Sequence, residues 1–321
     1  MKYYFIINPK SGKGKHAEEL SEKIRQVCEQ KSITYEIYYT KCVGDATRFV
    51  KEICSADNAL PARFYACGGD GTLGEVVNAV ACTEGASVGI IPVGTGNDFV
   101  RNFENKDTFF DISAQIEGKE ISVDLLKCND IYAINMLNIG FDCEVVKKVA
   151  SIKKNPLIPA KLAYIAGVLI TLIKKPGLKA KVSVDGGELT NSTFLLTTFA
   201  NGAFCGGGFH SNPYANLSDG LVDALFVENV SRTTFIGLVG SYKKGTHIVP
   251  KNDKILKNRK HEKIYFKFER TQSASIDGEL FDFDELTIEC IKDSAKFILP
   301  AGISYTKAHA KSQTKEAVSV G

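Results

Sequence analysis

The sequence of 321 residues predicts an α/β domain with a mainly parallel sheet, followed by an antiparallel β-sandwich. Up to about residue 125, short apolar segments typical of strands alternate with amphipathic helical patterns. After that point, strand patterns follow one another with few helical patterns between them. The chain is also longer than the commonest single-domain size. We therefore predict one domain at residues 1–125 and a second at residues 126–293.

The first domain shows a β-α-β alternation. Its predicted strands lie at residues 2–8, at Tyr35–Tyr39 and around Phe64 and Val88, and its predicted helices at Ala17–Gln30 and Asp45–Cys54. The second helix follows Gly44, and Asp45 is predicted to be its N-cap. Ligands gather at the carboxyl ends of parallel strands, so the segments after these strands are candidate binding loops.

The second domain is predicted as strands joined by tight turns. The strands lie at residues 131–141, 180–184, 192–200, 221–227, 263–269 and 286–291. Asp185-Gly186-Gly187 and Asp277-Gly278 are typical of hairpin turns. Within an apolar stretch at residues 157–173, only residues 162–173 are free of charge, and these twelve residues are too few to span a bilayer, which takes roughly twenty. A buried or amphipathic helix is favoured there, and a helix that docks on a membrane and admits lipid is the alternative. The polar tail at residues 307–321 is expected to be disordered.

Composition excludes several classes of protein. A net charge of +3 does not indicate a nucleic-acid partner. The clustered lysines are either ordinary solvent-exposed side chains or a basic face that attracts an anionic lipid surface. Nine cysteines without a Cys-x-x-Cys pair argue against a disulfide framework and a zinc site. The apolar run near the start is too short for a signal peptide. We expect a cytoplasmic protein.

The run Cys67-Gly68-Gly69-Asp70-Gly71-Thr72 is the most informative motif of the chain. Its glycines leave bare backbone amides that phosphate groups can approach closely, and its carboxylate suits a hydrated Mg²⁺. The alternative is a strand-to-helix turn that uses glycine for its backbone freedom. Three further segments agree with phosphate binding: residues 8–14, residues 91–99 and Ile276-Asp277-Gly278-Glu279-Leu280.

Together, in this order, the four segments resemble the diacylglycerol kinase catalytic-domain family, in its bacterial soluble lipid-kinase (YegS-like) form. The resemblance extends over roughly residues 1–305. It implies a nucleotide-binding first domain, a lipid-binding second domain and a last strand, at about 294–306, that returns to the first domain. It also implies a kinase that uses ATP and Mg²⁺ to phosphorylate the hydroxyl of diacylglycerol, giving phosphatidic acid.

The resemblance assigns roles to particular residues. ATP contacts are expected at Asn8, Pro9, Lys10, Ser11, Gly12, Thr40, Gly68, Gly69, Asp70, Gly71, Thr72 and Thr95. Glu279 is the expected general base, with a solvent-exposed hairpin carboxylate as the alternative. Asp70 and Asp98 are the expected acidic residues at the reacting phosphate, although Asp98 would equally cap the helix that follows it.

Two metal positions are implied by the same resemblance. Asp70 and Asp124 are expected at the catalytic Mg²⁺, Asp124 through water. Asn216, Asp219 and Leu221 are expected at a separate structural Mg²⁺, with a simple turn as the alternative.

Other functions stay open at the sequence level. NAD kinase shares the Gly-Gly-Asp-Gly run, and a nucleotide- or lipid-binding regulator without catalysis is a third candidate. Sphingoid bases, ceramides and prenols also present a hydroxyl beside apolar chains. A peripheral membrane surface is the expected partner, and a homodimer is compatible with the sequence.

Overall fold

The structure is a computed structural model that describes residues 1–14, 17–56, 59–152 and 177–305. The apolar stretch at 157–173 and the tail at 307–321 lie outside the described residues. The described strands are β1 Lys2–Ile7, β2 Tyr35–Tyr39, β3 Ala62–Gly68, β4 Ala86–Pro92, β5 Lys119–Cys128, β6 Ile131–Ala133, β7 Met136–Gly140, β8 Leu178–Val184, β9 Thr190–Ala200, β10 Val222–Glu228, β11 Leu256–His261, β12 Lys263–Ile276 and β13 Glu279–Leu299. The described α-helices are α1 Ala17–Gln30, α2 Asp45–Cys54, α3 Asp70–Val80, α4 Ile112–Ile116, α5 Phe141–Ile152 and α6 Arg232–Lys244.

The N-terminal strands form a parallel sheet in the order β2-β1-β3-β4. Its two faces are covered by different helices, because alternate residues of a strand point to opposite sides. Tyr4 and Phe64 stack on the face covered by α2 and α3, whereas Phe5 and Tyr65 stack on the face covered by α1 and α4. Because both faces of the sheet are covered, the inner strands β1, β3 and β4 are largely buried and rich in apolar residues.

The later strands pair mainly antiparallel. β12 pairs with β13, β7 and β8, and β9 pairs with β7, β8 and β10. Phe199 and Phe266 meet edge to face in the core of this region.

Strand β13 joins the two regions, because it begins in the antiparallel part and ends beside the parallel sheet. Its first half pairs with β12, and its last residues pair with β4 in parallel, Phe297 opposite Val88. Glu279, the first residue of β13, therefore belongs to the same strand that completes the parallel sheet.

Several elements differ from the sequence prediction. The predicted strand at 131–141 is two strands, β6 and β7, because the amides between them donate to the Asp277 carboxylate instead of to a neighbouring strand. Strand β11 was not predicted, because five of its six residues are polar or charged and only Leu256 is buried. Helix α6 was missed because it has two internal glycines and no buried residue, so its apolar periodicity is weak.

The start of α2 also corrects the prediction. Gly44, not Asp45, is the N-cap of this helix, and its left-handed φ of 82° suits glycine. Glu75 of α3 accepts hydrogen bonds from the amides of Gly44 and Ala46, which satisfies the helix terminus from a distant segment. Asp45 instead accepts a hydrogen bond from Tyr38 Oη and pairs with Arg48.

Within the described ranges, no helix combines the length and the apolar character that a bilayer crossing requires.

Candidate active site

Two glycine-rich turns pack back to back at the carboxyl ends of β3 and β4. The amide of Gly94 donates to the carbonyl of Gly68 at 3.1 Å. A Cβ on Gly94 would lie 2.4 Å from Gly69 Cα, so the two backbones touch with no room for side chains. This contact presents the backbone of both turns at one edge of the parallel sheet, just before α3 begins at Asp70.

Gly94→Ala should therefore lower the free energy of unfolding by about 1–3 kcal/mol, the usual cost of overpacking. Gly74→Ala is the matched control, because nothing lies within 4 Å of its Cβ position in the middle of α3. Alanine is the better helix former, so that variant should gain about 0.5–1 kcal/mol. Urea unfolding of both variants measures the effect; equal stability of the two variants would contradict the close approach.

A polar cavity of about 220 Å³ opens beside these turns. It is lined by Asn8, Lys10, Ser11, Thr40, Lys41, Cys42, Val43, Gly69, Gly71, Thr72, Glu75 and Glu279. Asn8 Nδ2 donates to Thr72 Oγ1 at 3.2 Å and connects the loop after β1 to the first turn of α3. Asn8 Oδ1 accepts from the amide of Lys10 at 3.0 Å, so this one side chain orders both segments.

An apolar cavity of about 320 Å³ lies on the other side of the Asp70 turn. Phe141 of α5, Phe209 and the Phe235 and Leu238 side chains of α6 form much of its wall. Asp70, Asp98 and Asp277 also line it, so this cavity combines a hydrocarbon surface with a group of carboxylates.

The turn at residues 277–279 separates the two cavities. Asp277 and Gly278 line the apolar cavity, whereas Glu279 lines the polar one. Glu279 Oε1 lies only 2.8 Å from the Cβ position of Gly71, so the carboxylate faces the glycine turn directly. Burial, and then the charge of Glu75, raise the pKa of Glu279 above its usual range. A half-buried carboxylate of this kind is suited to accept a proton.

Asp70 and Asp98 form a close acidic pair. Asp70 Oδ1 accepts from the amide of Asp98 at 3.0 Å, and Asp98 Oδ2 accepts from the amide of Gly207 at 2.8 Å. Arg101 Nε lies 3.1 Å from Asp98 Oδ1. Burial, followed by the charge of Asp98, raises the pKa of Asp70. A cation near Asp70 would relieve both effects.

Asp277 is the partly buried anchor of the dividing turn. It accepts from the amides of Ile134, Asn135 and Met136 at 2.8–3.1 Å. Burial nevertheless raises the pKa of Asp277 to about 7. The φ angles of Asp277, 46°, and of Gly278, 91°, are those of a tight two-residue hairpin, which places Glu279 at the boundary between the two cavities.

Comparison with known proteins agrees with this architecture. Residues 2–128 match the diacylglycerol kinase catalytic domain, and residues 135–293 match the YegS C-terminal NAD kinase beta sandwich-like domain. A protein of Pectobacterium atrosepticum named "Probable lipid kinase YegS-like" is 31% identical over 222 residues, which cover 66% of this chain and 71% of that protein.

The chain belongs to the diacylglycerol kinase/YegS-like family of lipid kinases. A diacylglycerol kinase of Bacillus subtilis (strain 168) is 29% identical over 279 residues, which cover 85% of this chain and 88% of the relative. A diacylglycerol kinase structure from Bacillus anthracis shares the fold, with a TM-score of 0.70, 22% identity and coverage of 94% of this chain and 98% of that chain.

In this lipid kinase family member, the expected ATP contacts divide into two groups. Asn8, Lys10, Ser11, Thr40, Gly69, Gly71 and Thr72 line the polar cavity. Pro9, Gly12 and Gly68 support the same loops from outside its lining, and Thr95 is exposed at the tip of its turn. Asp70 faces the apolar cavity, although its neighbours on both sides face the polar one.

Asp98 makes no side-chain cap on the short helical turn Phe99–Asn102 that follows it. Its carboxylate instead accepts from the amide of Gly207, on a distant segment, and pairs with Arg101 inside that same helical turn. Asp98 is therefore the N-cap residue by position, but its side chain does not satisfy the free amides of the turn.

The structure places Asp124 away from both cavities. Its fully buried carboxylate accepts from the amides of Gly220 at 2.6 Å and Asp293 at 2.8 Å. Asp124 thus lies beside the loop that carries Asn216, Asp219 and Leu221, so the structure groups these four residues together rather than with Asp70.

The Asp219 carboxylate binds two groups within this loop region. It accepts from the amide of Leu221 and forms an ion pair with Lys260. In the described ranges, no three His, Cys, Asp or Glu side chains are grouped as a metal site. A site with main-chain carbonyl ligands would not require such a group.

Sequence reasoning missed Glu75, Lys41 and His247, which line the two cavities. Lys41 directly follows Thr40, an expected ATP contact, so its adjacency to that residue could have identified it. Glu75 and His247 lie in segments without motif character, and only the packing of α3 and of the segment after α6 brings them to the site.

Proposed function

We propose that this protein is an ATP-dependent kinase that phosphorylates the hydroxyl of diacylglycerol, giving phosphatidic acid and ADP. One observation carries the proposal. Glu279 lies on the turn that divides a polar cavity, lined by the glycine turns, from an apolar cavity lined by carboxylates and aromatic rings. A donor of phosphate and an acceptor with hydrocarbon chains would meet at this turn.

The polar cavity suits the triphosphate of ATP. Bare amides at Gly69 and Gly71, the hydroxyls of Ser11, Thr40 and Thr72, and the ammonium of Lys10 are the donors that phosphate oxygens accept from. Most of these donors lie on loops that follow parallel strands, where they are held rigidly.

Glu279 acts as the general base of the proposed reaction. Burial, and then the charge of Glu75, raise the pKa of Glu279, which makes it a better proton acceptor than an exposed carboxylate. It takes the proton of the lipid hydroxyl as that oxygen forms a bond to the γ-phosphorus, and the bond from the γ-phosphorus to the bridging oxygen of ADP breaks. Asp277 fixes the turn that presents Glu279.

Asp70, with Asp98 beside it, fits a divalent cation. The two neighbouring carboxylates offer hard oxygen ligands in a partly buried place, and burial together with the charge of Asp98 raises the pKa of Asp70. When bound, Mg²⁺ would neutralise charge on the transferring phosphate. The structure leaves Asp124 outside this pair, so its contribution would have to be indirect.

The loop around Asp219 is a second candidate for Mg²⁺. The ammonium of Lys260 already pairs with the Asp219 carboxylate, so this group attracts a cation. We expect Mg²⁺ to raise the melting temperature of wild type above its value in EDTA, and expect Asp219→Asn to lose most of this shift. Asp107→Asn, an exposed carboxylate change elsewhere, should keep the shift. A shift of equal size in wild type and Asp219→Asn would contradict a site in this loop.

The lining of the apolar cavity, where the acceptor would bind, favours a lipid over NAD. NAD carries two phosphates and several hydroxyls, which an aromatic and aliphatic surface cannot solvate. A diacylglycerol offers one hydroxyl and two hydrocarbon chains, which match one acidic end and an apolar wall.

Transfer of labelled γ-phosphate to a panel of acceptors tests the function. Diacylglycerol, ceramide, a sphingoid base and a prenol would be presented in mixed micelles, with NAD in solution. We expect labelled phosphatidic acid as the main product, identified by mass spectrometry. Label on NAD alone, or ATP left unconsumed with every lipid, would refute the proposal. Binding to vesicles that contain anionic lipid would test the expected peripheral membrane partner.

A further inference from the structure

The apolar cavity contains a polar side chain that the proposed chemistry leaves unused. His247, in the segment that follows α6, is fully buried and lines this cavity. Its ring lies 4.9 Å from the ring of Tyr242. Neither ring nitrogen makes a hydrogen bond of ordinary geometry to a described residue. The carbonyls of Ser211 and Ser241 are near enough to raise its pKa slightly, but burial outweighs them and lowers it to about 4.

The imidazole of His247 is therefore neutral under physiological conditions, and carries one N–H and one bare nitrogen. A buried polar group that lacks a hydrogen bond of good geometry destabilises a fold, so one inside a ligand cavity indicates that the ligand supplies such a bond. The wall around it is largely aromatic and aliphatic, so that partner would be an isolated polar atom within a hydrocarbon region of the ligand.

A series of contacts connects His247 to the carboxylates of the same cavity. The Asp277 carboxylate accepts from the amide of Met136, and Met136 Sδ lies 3.7 Å from Ser211 Oγ. Ser211 in turn adjoins His247 through its carbonyl. The imidazole and the carboxylates therefore line one continuous wall, so a lipid with its hydroxyl at the carboxylates would extend along the surface that contains His247.

We infer that His247 is a specificity residue, whose ring N–H donates a hydrogen bond to an acyl carbonyl of the lipid acceptor. The inference rests on the proposed function and narrows its substrate class. Acylglycerols carry an ester carbonyl close to the free hydroxyl, whereas prenols and ether-linked lipids have none. A carbonyl is matched because it accepts a hydrogen bond and needs no donor in return.

The test compares diacylglycerol with the ether-linked dialkylglycerol of the same chain length, which differs only in lacking the carbonyls. Wild type should show a kcat/KM about tenfold higher for the ester, the discrimination expected of one hydrogen bond. In His247→Leu this ratio should fall to about one. Because both acceptors are assayed with one preparation, partial loss of folded protein cancels from the ratio.

Two further variants separate recognition from structure. His247→Asn and His247→Gln place an amide near one or the other ring nitrogen, and at least one of them should keep much of the preference. His261→Leu makes the same substitution at a histidine that pairs with Asp185, outside the lining of the cavity, and should leave the ratio unchanged. His247→Leu should also melt no lower than wild type, because it removes an unpaired buried polar group.

An unchanged ester preference in His247→Leu would overturn the inference, whatever its absolute rate. If wild type phosphorylates neither lipid, the proposed function fails, and displacement of a fluorescent lipid from the protein then decides the inference. Stronger displacement by the ester than by the ether in wild type, lost in His247→Leu, would support carbonyl recognition. Equal displacement by the two lipids would refute it.

Discussion

Glu279→Gln should lower kcat for lipid phosphorylation by about 10²–10⁴-fold, the usual contribution of a general base. Glutamine matches the shape of the carboxylate beside Gly71 but cannot accept the proton. The dissociation constant for ATP should change little, because backbone amides and hydroxyls supply most of the expected contacts. Single-turnover kinetics with saturating ATP measure the loss at the chemical step.

Glu285→Gln is the matched control for this variant. Glu285 lies on the same strand, exposed, and pairs with Lys267 at 2.7 Å. The rate of lipid phosphorylation by Glu285→Gln should equal that of wild type. Wild-type turnover by Glu279→Gln would show that Glu279 is not the general base.

The pH profile gives a second readout of Glu279. A general base must be ionised, so kcat/KM should fall as the pH drops through the pKa of Glu279. Burial and Glu75 raise that pKa, so this acid limb should lie above the pH range typical of an exposed glutamate. In Glu279→Gln the residual rate should lack this limb.

Asp70→Asn should lower turnover by about 10²–10³-fold, because it removes charge that would hold a cation at the phosphate. The variant should fold, since the asparagine oxygen can still accept from the amide of Asp98 and the substitution removes a partly buried charge. Addition of more Mg²⁺ should recover part of the rate. Asp107→Asn, an exposed control, should keep full activity.

Stability measurements on Asp70→Asn have a predicted sign. The raised pKa means that the folded protein binds a proton more tightly than the unfolded chain at this position. Wild type therefore loses stability as the pH rises from the unfolded pKa through the folded one. The melting temperature of Asp70→Asn, relative to wild type, should increase over that interval. A relative melting temperature that falls as the pH rises would contradict the burial and repulsion assigned to Asp70.

Local sequence patterns were sufficient for elements whose residues interact mainly with near neighbours. Helices α1 and α2 were predicted with the bounds that the structure shows, because their apolar residues recur at helical spacing. The hairpin at Asp277-Gly278 was also recognisable, since two consecutive positive φ angles favour these residue types.

Elements defined by distant partners were not predictable in this way. The break between β6 and β7 depends on Asp277, which is far along the chain. The cap of α2 depends on Glu75. No local pattern records such pairs, because a hydrogen-bond partner from another segment leaves no mark on the spacing of apolar residues.

The sequence by itself determined the family of this protein, its glycine-rich turns and the identity of its candidate base, because glycines and carboxylates in short runs have local requirements. Tertiary structure decided which residues meet. It set Glu279 opposite Gly71, grouped Asp124 with the loop that carries Asp219 and buried His247 in the wall of the apolar cavity. These placements follow from strand β13 and helix α6 folding back across the chain, and such long-range packing depends on the whole core rather than on any short motif.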